Sequence, residues 1–379
     1  MQVTVNASQV SLSSDVYVLR AGHQARHKPR FQESAVAFLE ITGITLPNDP
    51  NDPRTQSESE EFRAHCLMGR AIAEWHLGYS SNKEPSRDIA DYREGARDRR
   101  RAGILCGEVR KLYFDAKKGS VIIVPPGDQF EEVLIGVLAD EPGQSTPVTI
   151  GRGESASVYR GRKVLWLPGS REKRFFSKDL YANLSTRRAL ITLPNNLKKE
   201  VYDAAFGSYS LDDAAAADIR YENEVVNPFD FIHSVQLLEF FSALYSALED
   251  NRAAELQNLT YEEIVSTFGN SDAFYDAAIQ LQSPGWLRLW STDRSRAFFL
   301  VVLVAIASSH YSAQALGDGN VSVNNRAEVL PDDCIVEVDR RTREALRYMH
   351  VEAWEQACRN ARDGVQSTGL KVDAQVDDG

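Results

Sequence analysis

From Asp15 to Ala21 (DVYVLRA) apolar and polar positions alternate among β-branched residues, and Gly22 follows; this predicts a strand. Val36 to Ile44 predicts a second. Pro47 to Glu61 is rich in Pro, Asn, Asp and Ser, has almost nothing to bury, and predicts a loop. Leu67, Ala71, Ile72 and Trp75 recur at helical spacing, so Phe62 to Tyr79 predicts a helix. Ser81 to Pro85 predicts a turn, and the charged Asp88 to Arg101 a solvated helix. Val109 to Phe114 ends in apolar residues before a tight turn at Lys117-Lys118-Gly119. Ser120 to Val124 then predicts a strand stopped by Pro125-Pro126-Gly127, and Glu132 to Leu138 predicts the next. Short apolar strands joined by a Pro/Gly turn suit a small barrel. Lys163 to Leu167 adds a strand, Ser177 to Leu184 a short helix, and Ala189 to Leu193 a strand able to close the sheet.

After Asp212 the pattern changes. Ile219 to Val226 predicts one strand. Pro228 to Leu248 carries a helical stripe of Phe231, Ile232, Val235, Leu238, Phe241, Leu244, Tyr245 and Leu248. Thr260 and Glu263 form a capping-box signature for a helix to Phe268. Asp272 to Leu281, Ser295 to Ser312 and Thr342 to Arg362 read as further helices, with Asp333 to Asp339 as a strand between. The polar tail from about Gly364 is expected to fray. The fold class expected is α+β: a small N-terminal β-barrel with helices over 1–208, a mainly α-helical domain over 209–365, and a flexible tail over 366–379.

Charge changes this picture. The whole chain carries −11. Residues 1–150 hold 18 Lys/Arg against 21 Asp/Glu (−3), 151–200 hold 12 against 4 (+8), and 201–379 hold 13 against 29 (−16). Overall acidity argues against non-specific nucleic-acid binding by the whole chain but leaves room for a local basic surface. The start of the chain has no basic segment followed by an apolar run, and Phe298 to Ala307 is too short to span a bilayer. A cytoplasmic protein without a membrane partner is expected. Cys66, Cys106, Cys334 and Cys358 are scattered, which fits reduced core thiols rather than a zinc ribbon. His23 and His27 are four apart without an intervening HExxH pattern, and Gly151 to Ser155 is neither a phosphate loop nor a nucleophile elbow. No catalytic residue, metal site or cofactor is expected.

Four segments, in order, carry a resemblance. They are Val16-Tyr17-Val18-Leu19-Arg20-Ala21-Gly22, Lys117-Lys118-Gly119-Ser120-Val121-Ile122-Ile123-Val124-Pro125, Leu134-Ile135-Gly136-Val137, and Arg162-Lys163-Val164-Leu165-Trp166-Leu167. Over roughly half the chain this resembles the PUA/EVE-like leading domain of predicted restriction endonucleases of the Mrr-like class. In that family the strands read VWVVRAG, KKGDLVVVP, IGEV and RKVKWL. Ser120 stands where the family has Asp, Leu39-Glu40-Ile41-Thr42 replaces its IGW, and the stretch from Pro47 to Glu61 is an insertion. The family's nuclease needs an Asp on one strand and Glu-x-Lys on the next to hold Mg²⁺ and position water. No convincing Glu-x-Lys follows residue 205.

The resemblance implies recognition of DNA or RNA, including modified bases, in prokaryotic defence against phage or foreign DNA. A base reader needs aromatic walls and nearby cations. The expected binding residues are Arg20, Tyr113, Phe114, Lys117, Lys118, Arg162, Lys163, Trp166, Arg171, Lys173 and Arg174. Core packing is the competing reading for the three aromatic residues, and a solvated face for the basic run. The acidic helical half suits a protein partner or self-association. A degenerate metal-dependent nuclease using Glu222, Glu224 and Asp230 is the enzymatic alternative, and an interaction protein without nucleic-acid binding is the third.

Overall fold

The computed structural model describes residues 2–44, 52, 59–79, 83–93, 99–150, 157–168, 171–212, 214–223, 226, 228–269, 276–280, 285–309, 322–325 and 333–377. The chain is α+β and divides into two compact units. The boundary differs from the expected one. Met1–Ser11 joins Phe206–Gly379 in one unit, and Leu12–Ala205 forms the other. The first residues supply β1 (Gln2–Val5) and β2 (Ser8–Val10). Val3 and Val5 of β1 are fully buried.

Leu12–Ala205 runs through β3 (Val16–Leu19), α1 (Lys28–Ser34), β4 (Val36–Thr42), α2 (Glu60–His76) and α3 (Arg99–Arg110), which ends in a π-helical turn at Lys111–Asp115. It continues through β5 (Val121–Val124), β6 (Leu134–Leu138), β7 (Thr146–Ile150), β8 (Ser157–Trp166), α4 (Lys178–Leu184), β9 (Leu190–Thr192) and α5 (Asn195–Ala205). The sheet order is β4-β8-β6-β5-β3-β9, with β7 also on β8. β3 and β5 are parallel neighbours, buried at every position. That is why both read as nearly continuous apolar runs.

The expected barrel is not closed, because β4 and β9 end the path without pairing to each other. The ten residues of β8 serve several partners. One edge meets β4 at 159–163; the other meets β7 at 157–161 and β6 at 164–166. Register slips between Phe38 and Thr42 on the β4 side. Closure would need a three-residue β9 to pair along β4, and among the described strands it pairs only with β3.

The other unit continues with β10 (Tyr209–Leu211), β11 (Ala214–Tyr221), α6 (Phe231–Glu249), α7 (Tyr261–Phe268), β12 (Asp276–Gln280), β13 (Gly285–Ser291), α8 (Arg294–Ser308), β14 (Ser322–Asn325), α9 (Asp333–Tyr348), α10 (Val351–Thr368), β15 (Leu370–Val372) and β16 (Ala374–Asp377). It holds two sheets, β12-β13-β11-β10-β2 with β15 also on β11, and β14-β1-β16. The half expected to be mainly helical is therefore mixed. Residues 276–280, expected as helix, form a strand paired with β13. Asp333 to Asp339, expected as a strand, opens α9, where Glu337 and Asp339 pair with Arg340, Arg341 and Arg343 one turn on. The tail does not fray among the described residues. Leu370 is buried, and the Asp373 carboxylate accepts a hydrogen bond from the Ser208 N–H at 2.7 Å. The capping box of Thr260 and Glu263 is formed. One described helix, α6, is long and apolar enough to cross a membrane, and most of it is buried in the structure.

Candidate nucleic-acid interface

The eleven expected binding residues all fall in Leu12–Ala205, and the structure separates them into three groups. Tyr113, Phe114 and Arg162 lie in the core. The Tyr113 hydroxyl plugs the slipped register between β4 and β8: it accepts from the Leu39 N–H at 3.4 Å and donates to the Arg160 carbonyl. Burial pushes its pKa above the ordinary tyrosine value. Arg162 is fully buried. Its Nε donates to Asp140 Oδ1 at 2.6 Å, Nη2 to the Asp140 carbonyl at 2.6 Å, and Nη1 to the carbonyls of Leu112 (2.8 Å) and Ala116 (3.0 Å). It ties the end of β6 and the π-helical turn to β8 and cannot reach a phosphate. Trp166 is half-buried, stacked on Phe31 with centroids 6.4 Å apart and planes at 7°, and its indole N–H donates to the Phe31 carbonyl at 2.8 Å. Burial takes Tyr113, Phe114 and Arg162 away from the surface, whereas Trp166 stays partly exposed with its indole N–H already engaged.

The remaining cations lie at opposite ends of the sheet. Lys117 and Lys118 are exposed on the turn before β5, where the Gly119 N–H bonds the Leu138 carbonyl at 2.9 Å. Exposed Lys163 is at the same end, its carbonyl accepting from the Ala139 N–H at 2.9 Å. Arg20 follows the last residue of β3 and so stands at the other end, at least one strand length away, roughly 10 Å. Arg171, Lys173 and Arg174 join it there through backbone hydrogen bonds to the 128–133 segment, which leads into β6. The expected single basic surface is therefore dispersed. Lys198, part of the same basic run, is also buried, donating to the carbonyls of Leu12 and Ser14 at 2.7 Å each.

The end that holds Arg20 is built from loops at the carboxyl ends of β3 and β5. β3 and β5 are the one parallel pair among the described strands of this sheet. The loop after β3 is strained: Gln24 and Ala25 both have positive φ, 52° and 54°. Non-glycine residues in that region cost about 1–3 kcal/mol each and cluster at functional sites. Gly127 allows the second loop to press against it, since a Cβ there would lie 2.9 Å from the Gln24 carbonyl oxygen. Beneath the strained loop, buried His27 Nε2 lies 3.1 Å from Glu40 Oε1, and Arg70 is 3.9 Å from the other carboxylate oxygen.

Aromatic and cationic groups interleave at this end. The Arg174 guanidinium sits 5.0 Å from the Phe130 ring centroid and 4.6 Å from that of Phe175, and Glu172 holds its Nε at 2.6 Å. Both rings face solvent, Phe130 at 58% and Phe175 at 45% exposure. Lys173 Nζ lies over the Tyr181 ring at 5.1 Å, and Arg171 over Phe176 at 5.6 Å. Burial, reinforced by nearby Arg20, lowers the Lys173 pKa below the ordinary lysine value. Arg20 itself donates to the Thr186 carbonyl at 2.5 Å. Sequence reading missed Phe130 and Phe175. The available signal was an aromatic residue in the polar loop after Pro125-Pro126-Gly127, and another directly after the Arg171–Arg174 run.

Among the acids of the enzymatic alternative, Glu222 is ion-paired with Lys371, Asp230 stands at the start of α6, and Glu224 lies outside the described residues. Among the described residues no group of three or more His, Cys, Asp or Glu is placed to hold a metal ion. No protein-family model, curated protein or solved structure matches the chain.

Proposed function

We propose that Leu12–Ala205 is a nucleic-acid recognition module whose binding end is the loop cluster at the carboxyl ends of β3 and β5. The open sheet is read as a PUA/EVE-like barrel left unclosed at β4 and β9. The observation that carries the proposal is the exposed Phe130–Arg174–Phe175 group beside the half-buried Arg20 and Arg171, on a strained loop framework, with Lys173 buried among them. Planar rings with a guanidinium can hold bases, and adjacent cations can hold phosphates. The setting proposed is the one the family resemblance implies, cytoplasmic sensing of foreign or modified nucleic acid in a prokaryote. For the acidic second unit we propose a protein partner or self-association, supported by Phe229, Ile232 and Val235 exposed on or just before α6.

The test is fluorescence anisotropy of the full chain with labelled single-stranded and duplex oligonucleotides at low salt. The double variant Arg171→Glu/Arg174→Glu is expected to lower affinity at least about tenfold, the scale of one to two lost charged contacts. Lys117→Glu/Lys118→Glu, at the opposite end, is expected to leave it unchanged. Absence of binding by the parent chain, or an equal loss in the second variant, overturns the assignment.

A further inference from the structure

We infer that the Phe130–Arg174–Phe175 group selects single-stranded nucleic acid by stacking on unpaired bases; this rests on the nucleic-acid reading above. The first argument is exposure. Two phenylalanine rings, 58% and 45% exposed, stand on a unit whose other five phenylalanines, Phe31, Phe38, Phe62, Phe114 and Phe176, are all buried. Both rings take the same guanidinium as neighbour, which gives a planar, polarisable surface with open faces.

The second argument is charge. Asp128, Glu131 and Glu132 on one segment and Glu172 on the other stand with the five cations Arg20, Lys28, Arg171, Lys173 and Arg174, a local sum of +1. Glu172 bonds Arg174 directly at 2.6 Å. Lys28, which also reaches this end, donates to the Glu132 carbonyl at 2.6 Å and lies 3.8 Å from the Glu131 carboxylate. A balanced field of this kind gives a duplex backbone little to bind, because duplex affinity comes chiefly from phosphate neutralisation. A duplex also hides the faces of its bases within its own stack. An unpaired strand presents those faces, and every base has one, so recognition by stacking tolerates sequence. Glu172 thus fixes the plane of the guanidinium against the rings and withholds much of its charge from phosphate.

The experiment uses the full chain and three probes of equal length, about 12 nucleotides, within the span one small module covers. These are an oligothymidylate, the same backbone with abasic positions, and a mixed-sequence duplex. The oligothymidylate is expected to bind at least about tenfold tighter than the other two, with a log–log salt slope shallower than about −2. Phe130→Ala and Phe175→Ala are each expected to weaken it roughly 5- to 100-fold. Phe130→Leu and Phe175→Leu keep apolar bulk without the π face and should lose nearly as much. Unchanged far-ultraviolet circular dichroism in these surface variants establishes that folding is intact. Duplex binding as tight as that of the single strand overturns the stacking inference, as does full retention by the leucine variants; either result leaves the nucleic-acid reading standing. Failure of all three probes to bind removes both.

Discussion

Arg162 offers the sharpest test of whether the basic segment serves packing or binding. Replacing it with Met leaves the Asp140 carboxylate, 8% exposed, without its cation. The Asp140, Leu112 and Ala116 carbonyls lose their guanidinium donors at the same time. Among the described residues, the Lys163 N–H, at 2.9 Å, is what still supports the carboxylate. Removing one partner of a buried pair costs about 3–5 kcal/mol. A whole domain is stable by about 5–15 kcal/mol, so the loss is a large fraction of what holds the unit together. Hydrogen exchange read by mass spectrometry on peptides from β5 and β8 reports Leu12–Ala205 separately from the other unit. The Arg162→Met chain is expected to open there with a free energy lower by about 3–5 kcal/mol. The double variant Arg162→Met/Asp140→Leu removes both charges and should recover much of it, because a buried pair replaced by apolar groups is often nearly neutral. A single-variant loss below about 1 kcal/mol, or a double variant as unstable as the sum of the singles, refutes the strut. Oligonucleotide affinity of the folded variant is expected to match the parent; a selective loss of affinity with stability intact would restore Arg162 to the interface.

Two further outcomes follow from the packing. Trp166→Phe keeps the stack on Phe31 but deletes the indole hydrogen bond, so it should cost about 1 kcal/mol in chemical unfolding and leave oligonucleotide affinity unchanged; a binding defect would show that Trp166 reads bases after all. In the second unit, the hydrogen bond from Arg340, followed by Arg341, holds the Glu337 carboxyl down to about 2, against an ordinary value of 4.5. A folded-state value below the unfolded one gives stability that is fully present above the ordinary value and is lost as pH falls towards about 2. Urea midpoints of this unit at about pH 6 and about pH 3 should therefore differ less in Glu337→Gln than in the parent, and an equal difference would contradict the assignment.

The sequence by itself determined the elements whose periodicity reports local burial. The strands at Val16–Leu19, Val121–Val124 and Leu134–Leu138, the helices at Phe231–Glu249 and Arg294–Ser308, and the Thr260 cap are set by side-chain patterns within a few residues. It also carried the charge asymmetry, since that is a sum. Tertiary structure decided what a sum cannot: which cations face water. Arg162 and Lys198 look like binding residues in a basic run, yet each is drawn inward by carbonyls or a carboxylate from distant segments. Tyr113 and Trp166 are held by backbone atoms of Leu39, Arg160 and Phe31, which no local pattern reveals. The same holds for the N-terminal segment and the tail, whose short strands pair with partners at least 149 residues away. Phe130 and Phe175 meet over one guanidinium because β6 and the segment after β8 converge at one end of the sheet. Chain neighbours fix periodicity, but pairing between distant strands fixes which side chains share a surface, and the candidate interface depends on the second.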